Sequence, residues 1–132
     1  VDRDPLPRWT HGRVTLLGDA AHPMYPIGSN GASQGILDAE AMAEAMVAAG
    51  FPSRSADPAD AFARYEAARR EATGAIVLSN RQNGPDQVMQ IAEERAPQGF
   101  GHIHDVIPRE ELEAISARYK QLAGFSHAQV NR

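Results

Sequence analysis

Apolar residues recur along the chain with two different periods. Val14, Leu16 and Leu17 form a short apolar run between Gly12-Arg13 and Gly18-Asp19, which predicts a β-strand over Arg13 to Leu17 ended by Gly18. Residues 20–30 contain Pro23, Pro26 and Gly28 and read as a loop. Beyond it Ile36, Leu37, Met42, Ala45 and Met46 fall near helical spacing, so a helix is expected from Gly31 to about Ala48, with Gly50 and Pro52 as its stop. Asp57-Pro58 opens a second helix, because an Asp side chain accepts from a free amide and Pro at the first helical position loses no bond. Phe62, Tyr65, Ala68, Arg69, Ala72, Ile76 and Ser79 trace one side of it to about Gln82, with Gly74 as a weak point. Asn83-Gly84-Pro85 breaks that helix. A short helix over Pro85 to Arg95, a loop over 96–101 and a last helix over Pro108 to Leu122 follow. The last carries Leu112, Ile115, Tyr119 and Leu122 and ends at Gly124.

These elements predict a mainly α chain with one strand. Its division falls at the linker 51–56, into a strand–loop–helix part (1–50) and a helical region (51–132) packing on it. At 132 residues the chain buries roughly two thirds of its unfolded surface. A lone strand leaves unpaired backbone groups, which invites pairing with other polypeptide or with a second copy in a homodimer. The net charge of −4, from 13 basic and 17 acidic residues of scattered sign, argues against a nucleic-acid surface. No apolar run approaches bilayer length and no export signal is recognisable, so a cytoplasmic setting without membrane contact is expected. The chain has no Cys, which excludes disulfide and thiolate chemistry.

Between the strand and the first long helix lies the part with chemistry in it. A strand ending in Gly18-Asp19, a loop rich in Pro and Gly, and a helix opening at Gly31-Ala32-Ser33 bring free amides beside one fixed carboxylate. Such an arrangement suits an anionic or hydroxyl-rich cofactor. By spacing alone, Asp19 also reads as a cap of the next turn, Gly28 and Gly31 as turn glycines, and Pro26 as a loop stiffener.

The sequence Gly18-Asp19-Ala20-Ala21-His22, then Pro26, Gly28, Asn30-Gly31 and Asp38-Ala39, resembles the second flavin-binding motif of the FAD-dependent aromatic hydroxylases. These are single-component flavoprotein monooxygenases such as hydroxybenzoate, salicylate and phenazine hydroxylases. The segments Arg81 to Asp86, Ala123-Gly124-Phe125 and Gln129 to Arg132 resemble the tail of the phenazine branch. The resemblance implies the C-terminal part of an α/β, Rossmann-like FAD-binding monooxygenase fold. It implies FAD as cofactor, NAD(P)H as co-substrate, and oxygen insertion into a small aromatic substrate. Gly18, Asp19, Pro26, Gly28, Asn30, Gly31, Ala32 and Ser33 become the implied flavin contacts. Asp19 would accept from ribityl hydroxyls, the amides of residues 31–33 would meet the negative charge of reduced flavin, and Pro26 would also lie beside the substrate. His22 becomes a structural hydrogen-bonder near the flavin, and Asp38 a residue able to secure the loop.

The G-x-G-x-x-G turn that holds the pyrophosphate in this family does not occur in these 132 residues, so a C-terminal piece of a longer enzyme, inactive when isolated, is expected. Two alternatives stand beside that reading. One is a flavin-dependent oxidoreductase or halogenase of related fold; the other is a helical interaction module without catalysis. His102-Ile103-His104-Asp105 is a further constellation, since an extended segment would point both imidazoles the same way toward a metal. No third ligand has a fitting spacing, so neither a metal nor a catalytic residue is assigned. Ser29 and Ser33 lack the G-x-S-x-G elbow of serine hydrolases.

Overall fold

The apolar run at residues 13–17 folds back on the chain just before it. In the computed structural model, which describes residues 3–126, β1 (Thr10–His11) and β2 (Val14–Thr15) pair antiparallel, with Thr10 opposite Thr15 and His11 opposite Val14. Gly12 is first in the two-residue loop, at φ +61°, where primed hairpin turns require positive φ. The Leu16 amide adds one more bond to the Trp9 carbonyl at 3.3 Å. The expected lone strand over Arg13 to Leu17 is therefore corrected. Only Val14–Thr15 is paired as strand, and its partner is local. Val1, Asp2 and the segment Gln129 to Arg132 lie outside the described residues.

Among the described residues four α-helices follow: α1 (Gly31–Ala48), α2 (Pro58–Arg81), α3 (Gln87–Arg95) and α4 (Arg109–Leu122). Asp57 caps α2 by accepting the Ala59 amide at 2.9 Å. Gly124, at φ +82°, ends α4, and the Phe125 amide turns back to the Lys120 carbonyl at 2.8 Å. Gly74 does not interrupt α2. The helix runs through it, and a Cβ there would meet Pro5 Cβ at 3.4 Å, so this glycine marks close approach of the N-terminal segment.

Helix α2 packs along α1, β1 lies against α2, and the 3-10 turn Gly18–Ala20 lies against α1. Trp9, Ala21, Ala45 and Tyr65 form the core where they meet, supported by Leu6, Leu16, Ala41 and Met42. The Trp9 ring lies 5.6 Å from both Tyr65 and His22, tilted against each.

Two expected faces shift. On α2 the buried positions are Ala61, Tyr65, Thr73, Gly74, Ile76, Val77 and Asn80, whereas Ala68 and Ala72 are exposed. Small residues face the contact because backbones approach closely there. On α1 the buried residues are Gln34, Asp38 and Ala45, while Ile36 is 71% exposed. A hydrogen-bonded polar cluster occupies the interior that apolar spacing had assigned to Ile36. No helix of the described residues is long and apolar enough to cross a membrane.

Candidate functional site

Asp38 organises the turn that carries Asp19. Its carboxylate is fully buried and accepts three hydrogen bonds: from the Gly18 amide at 3.0 Å, His22 Nε2 at 2.6 Å and Arg69 Nε at 2.7 Å. The first two partners flank Asp19 in sequence, so a single side chain from α1 fixes both ends of its turn. Burial alone would raise the Asp38 carboxyl; the bonds from His22, Arg69 and Gly18 outweigh it and hold it below its ordinary 3.8. A carboxylate only accepts, so the His22 proton is assigned to Nε2. His22 Nδ1 is buried with no hydrogen-bond partner among the described residues.

Arg69 carries the network further. Its Nη2 donates to Gln34 Oε1 at 2.6 Å, and Gln34 Nε2 donates to the Ala123 carbonyl at 2.9 Å, just past α4. Tyr65 donates to the Leu16 carbonyl at 3.2 Å, beside the exit of β2. Burial, helped by the charge of Asp38, pushes its phenol well up, so it remains a neutral donor.

Asp19 itself is exposed on the 3-10 turn Gly18–Ala20. A Cβ built on Gly31 would sit 3.8 Å from Asp19 Oδ1, so the carboxylate stands at the entrance of α1. The Gln34 amide, bonding to the Asn30 carbonyl at 2.9 Å, closes the first turn of α1. The amides of Gly31, Ala32 and Ser33 precede that bond and belong to the donors a helix leaves without an internal partner. Asn30 is a residue type suited to cap them, yet its side chain makes no capping bond. It is buried and donates instead to the Tyr119 hydroxyl at 2.7 Å. Gly28, at φ +70°, packs against the Tyr119 ring, and a Cβ there would lie only 2.9 Å from Cζ. Pro26 is exposed in the same loop.

The structure thus brings Asp19 and the first turn of α1 together. It turns Asn30 and Gly28 toward α4 on the other side of the loop. A cleft of about 410 Å³ is lined by Arg3, Asp19, Ala20, Pro23 and Met24, with Arg3 Nη2 donating to the Ala20 carbonyl. Neither Pro26 nor Gly28 lines it.

Gln34, Arg69, Asn80 and Tyr119 act in the site without having been singled out as site residues. A signal existed for two of them. Arg69 and Tyr119 fall on otherwise apolar helix stripes, where a long polar side chain requires a buried partner. The extended backbone that would align His102 and His104 is not formed: Ile103–Asp105 is a 3-10 turn, and His102 Nδ1 accepts the His104 amide at 3.2 Å. One ring nitrogen is thereby occupied, and among the described residues no group of three potential metal ligands occurs.

Residues 3–79 match the FAD binding domain family, and the chain belongs to that family. Over 129 residues it is 43% identical to the phenazine 1,6-dicarboxylic acid hydroxylase of Lysobacter antibioticus, covering 98% of this chain and 28% of that protein. It is 45% identical over 80 residues to 3-hydroxybenzoate 6-hydroxylase 1 of Aquipseudomonas alcaligenes, covering 61% of this chain and 19% of that protein. It is also 39% identical over 83 residues to the 6-hydroxynicotinate 3-monooxygenase of Pseudomonas fluorescens, covering 63% and 20%. The chain therefore spans less than a third of the length of these curated relatives. No solved structure matches it.

Proposed function

We propose that this chain forms the riboflavin-side wall of an FAD-dependent monooxygenase that hydroxylates a small aromatic substrate with NAD(P)H and O2. In this reading residues 1–50 are the C-terminal strand–loop–helix of a Rossmann-like FAD-binding domain, residues 51–132 are its helical support, and the ADP-binding part precedes Val1. One observation carries the reading: an exposed carboxylate, Asp19, stands beside Gly31 at a helix entrance whose capping residue turns away. That donor and acceptor set fits a ribityl chain and the flavin ring edge. Asp19 accepts from hydroxyls, and the amides of Gly31, Ala32 and Ser33 meet the N1–C2 carbonyl edge, where helix dipoles favour the negative charge of the reduced ring. The flavin, when bound, supplies the oxygen chemistry.

Every relative named above is described by an aromatic carboxylate: a phenazine dicarboxylic acid, a hydroxybenzoate and a hydroxynicotinate. Together they favour a hydroxylase over a halogenase and an aromatic acid as substrate class. The chain's part in the reaction is to orient the flavin and, through Pro26, to border the substrate.

Replacement of Asp19 by Ala in the full-length enzyme tests the reading. Loss of a hydrogen bond to a charged group, worth about 1.5–3 kcal/mol, raises the FAD dissociation constant by roughly 10- to 100-fold. Because Asp19 is exposed, the melting temperature of the apoprotein stays unchanged. Unaltered FAD affinity in Asp19→Ala removes the proposal.

A further inference from the structure

We propose that Tyr119, on the last helix, is a positioning residue for the flavin-facing loop, and that it sets the orientation of the loop's exit into α1. The inference rests on the flavin reading above. The loop Tyr25–Asn30 contains both Pro26 and Gly28, and it is tied at its two ends by one chain of hydrogen bonds. At the first end, Asn80 Nδ2 donates to the Tyr25 carbonyl at 3.2 Å. That bond turns Asn80 Oδ1 toward α4, where the Tyr119 hydroxyl donates to it at 3.1 Å. At the far end, Asn30 Nδ2 donates to the same hydroxyl at 2.7 Å.

The direction of every bond follows from the first. A hydroxyl has one proton, and of its two acceptors Asn80 Oδ1 at 3.1 Å is nearer than the Ile27 carbonyl at 3.5 Å, so the proton goes to Asn80 and the oxygen is left to accept from Asn30. Burial pushes the Tyr119 phenol up, which keeps that proton in place. Asn30 and Asn80 are both buried, so neither exchanges its partner for water at low cost. The ring is held as firmly as the hydroxyl. It lies against Gly28 and Gly84, at φ +70° and +46°, and a Cβ on Gly84 would approach Tyr119 Cε2 to 3.2 Å. Gln34 adds a second tie from α1 to the end of α4 through the Ala123 carbonyl.

The consequence for chemistry lies at Asn30. This residue precedes Gly31, so its placement directs the first amides of α1. With its side chain spent on Tyr119, it leaves those amides for the ligand. Asn30 stands at φ −89°, ψ −18°, helical rather than the extended backbone of a cap, so loss of the Tyr119 hydroxyl lets residue 30 rotate toward a capping conformation that competes with the flavin for the same donors.

The test uses the full-length protein reconstituted with FAD, with dissociation constant and two-electron potential as readouts. Tyr119→Phe keeps the ring between the two glycines and removes only the hydroxyl. The expected result is an FAD dissociation constant raised about tenfold. The reduced flavin loses most, and a further tenfold loss of preference for it lowers the potential by about 30 mV. Ile107→Val, which trims a fully buried side chain outside the loop, lowers melting temperature but leaves both readouts unchanged. If Tyr119→Phe does not accumulate as folded protein, Asn80→Ser breaks the same chain of bonds and shifts both readouts in the same direction. Wild-type affinity and potential in Tyr119→Phe, with wild type binding FAD normally, overturn this inference alone. Equal shifts in Ile107→Val overturn it too. A wild-type protein that takes up no FAD removes the functional reading, and this inference with it.

Discussion

Asp38 shows how one buried charge can fix a surface turn. Its two oxygens are engaged by Gly18, His22 and Arg69, and the bonds draw both ends of the Asp19 turn and one side chain of α2 onto α1. Removing one member of such a buried set leaves the others uncompensated, at a cost of about 3–5 kcal/mol. Asp38→Ala is therefore expected to lower unfolding free energy by that amount in urea titrations, because the Arg69 guanidinium loses its carboxylate. The pH dependence has a definite sign. The folded carboxyl titrates below its ordinary 3.8, so the native state holds fewer protons than the unfolded chain across that interval. The stabilisation is complete above pH 3.8 and is lost as pH falls through the folded value. Glu66 has the same sign: burial opposes its ionisation, and bonds from Trp9 and Thr10 more than offset it, holding the carboxyl below 4.5. Asp38→Ala should flatten the acid limb without abolishing it; an unaltered limb removes Asp38 as its source.

At the scale of elements, local chemistry made the helices legible and distant pairing did not. Asp57-Pro58 and Gly124 mark helix ends through bonds within a few residues, and the observed bounds of α1, α2 and α4 follow from such signals. The hairpin was hidden because Thr10–His11 has no apolar alternation, and only Gly12 at positive φ permits the chain to turn back. The buried side of α2 was misread because Thr73, Gly74 and Asn80 are interior by close approach and hydrogen bonding, which hydropathy does not register. In the site, Asp19 and Gly31 are legible as a motif and Arg69 and Tyr119 as polar residues on helix stripes, whereas Gln34 and Asn80 become meaningful only once the helices carrying them are placed. Gly74 gives a test whose sign two magnitudes decide. Gly in a helix interior costs about 1 kcal/mol relative to Ala. A Cβ at that position would meet Pro5 at 3.4 and 3.6 Å, which is ordinary van der Waals contact. Propensity therefore wins, and Gly74→Ala should stabilise the protein by about 0.5–1 kcal/mol in thermal or urea unfolding. Destabilisation would show that the Pro5 segment cannot yield even a few tenths of an ångström.

The whole molecule has a core but an incomplete covering. Val14, Leu17, Ile36 and Val47 all stand exposed, and Ile36 lies on the same helix whose first turn meets the proposed flavin. Apolar surface of this kind is stabilised by being covered, either by further polypeptide or by another copy. Under the proposed function the first applies, since the proposed ADP-binding part would supply both the cover and the pyrophosphate cradle. The isolated 132-residue chain, with only the riboflavin-side contacts of the proposed site, then faces two linked expectations. In fluorescence titration it should bind FAD at least about 100-fold more weakly than the full-length enzyme, because phosphate contacts and preorganisation worth about 3 kcal/mol or more are missing. In sedimentation it should associate as concentration rises, through the uncovered residues. Addition of the remaining polypeptide in trans should reverse both effects together, since one docking event covers Ile36 and completes the nucleotide site. Tight stoichiometric FAD binding by the monomeric chain would contradict this division of labour, placing the whole grip on FAD within α1 and the Asp19 turn.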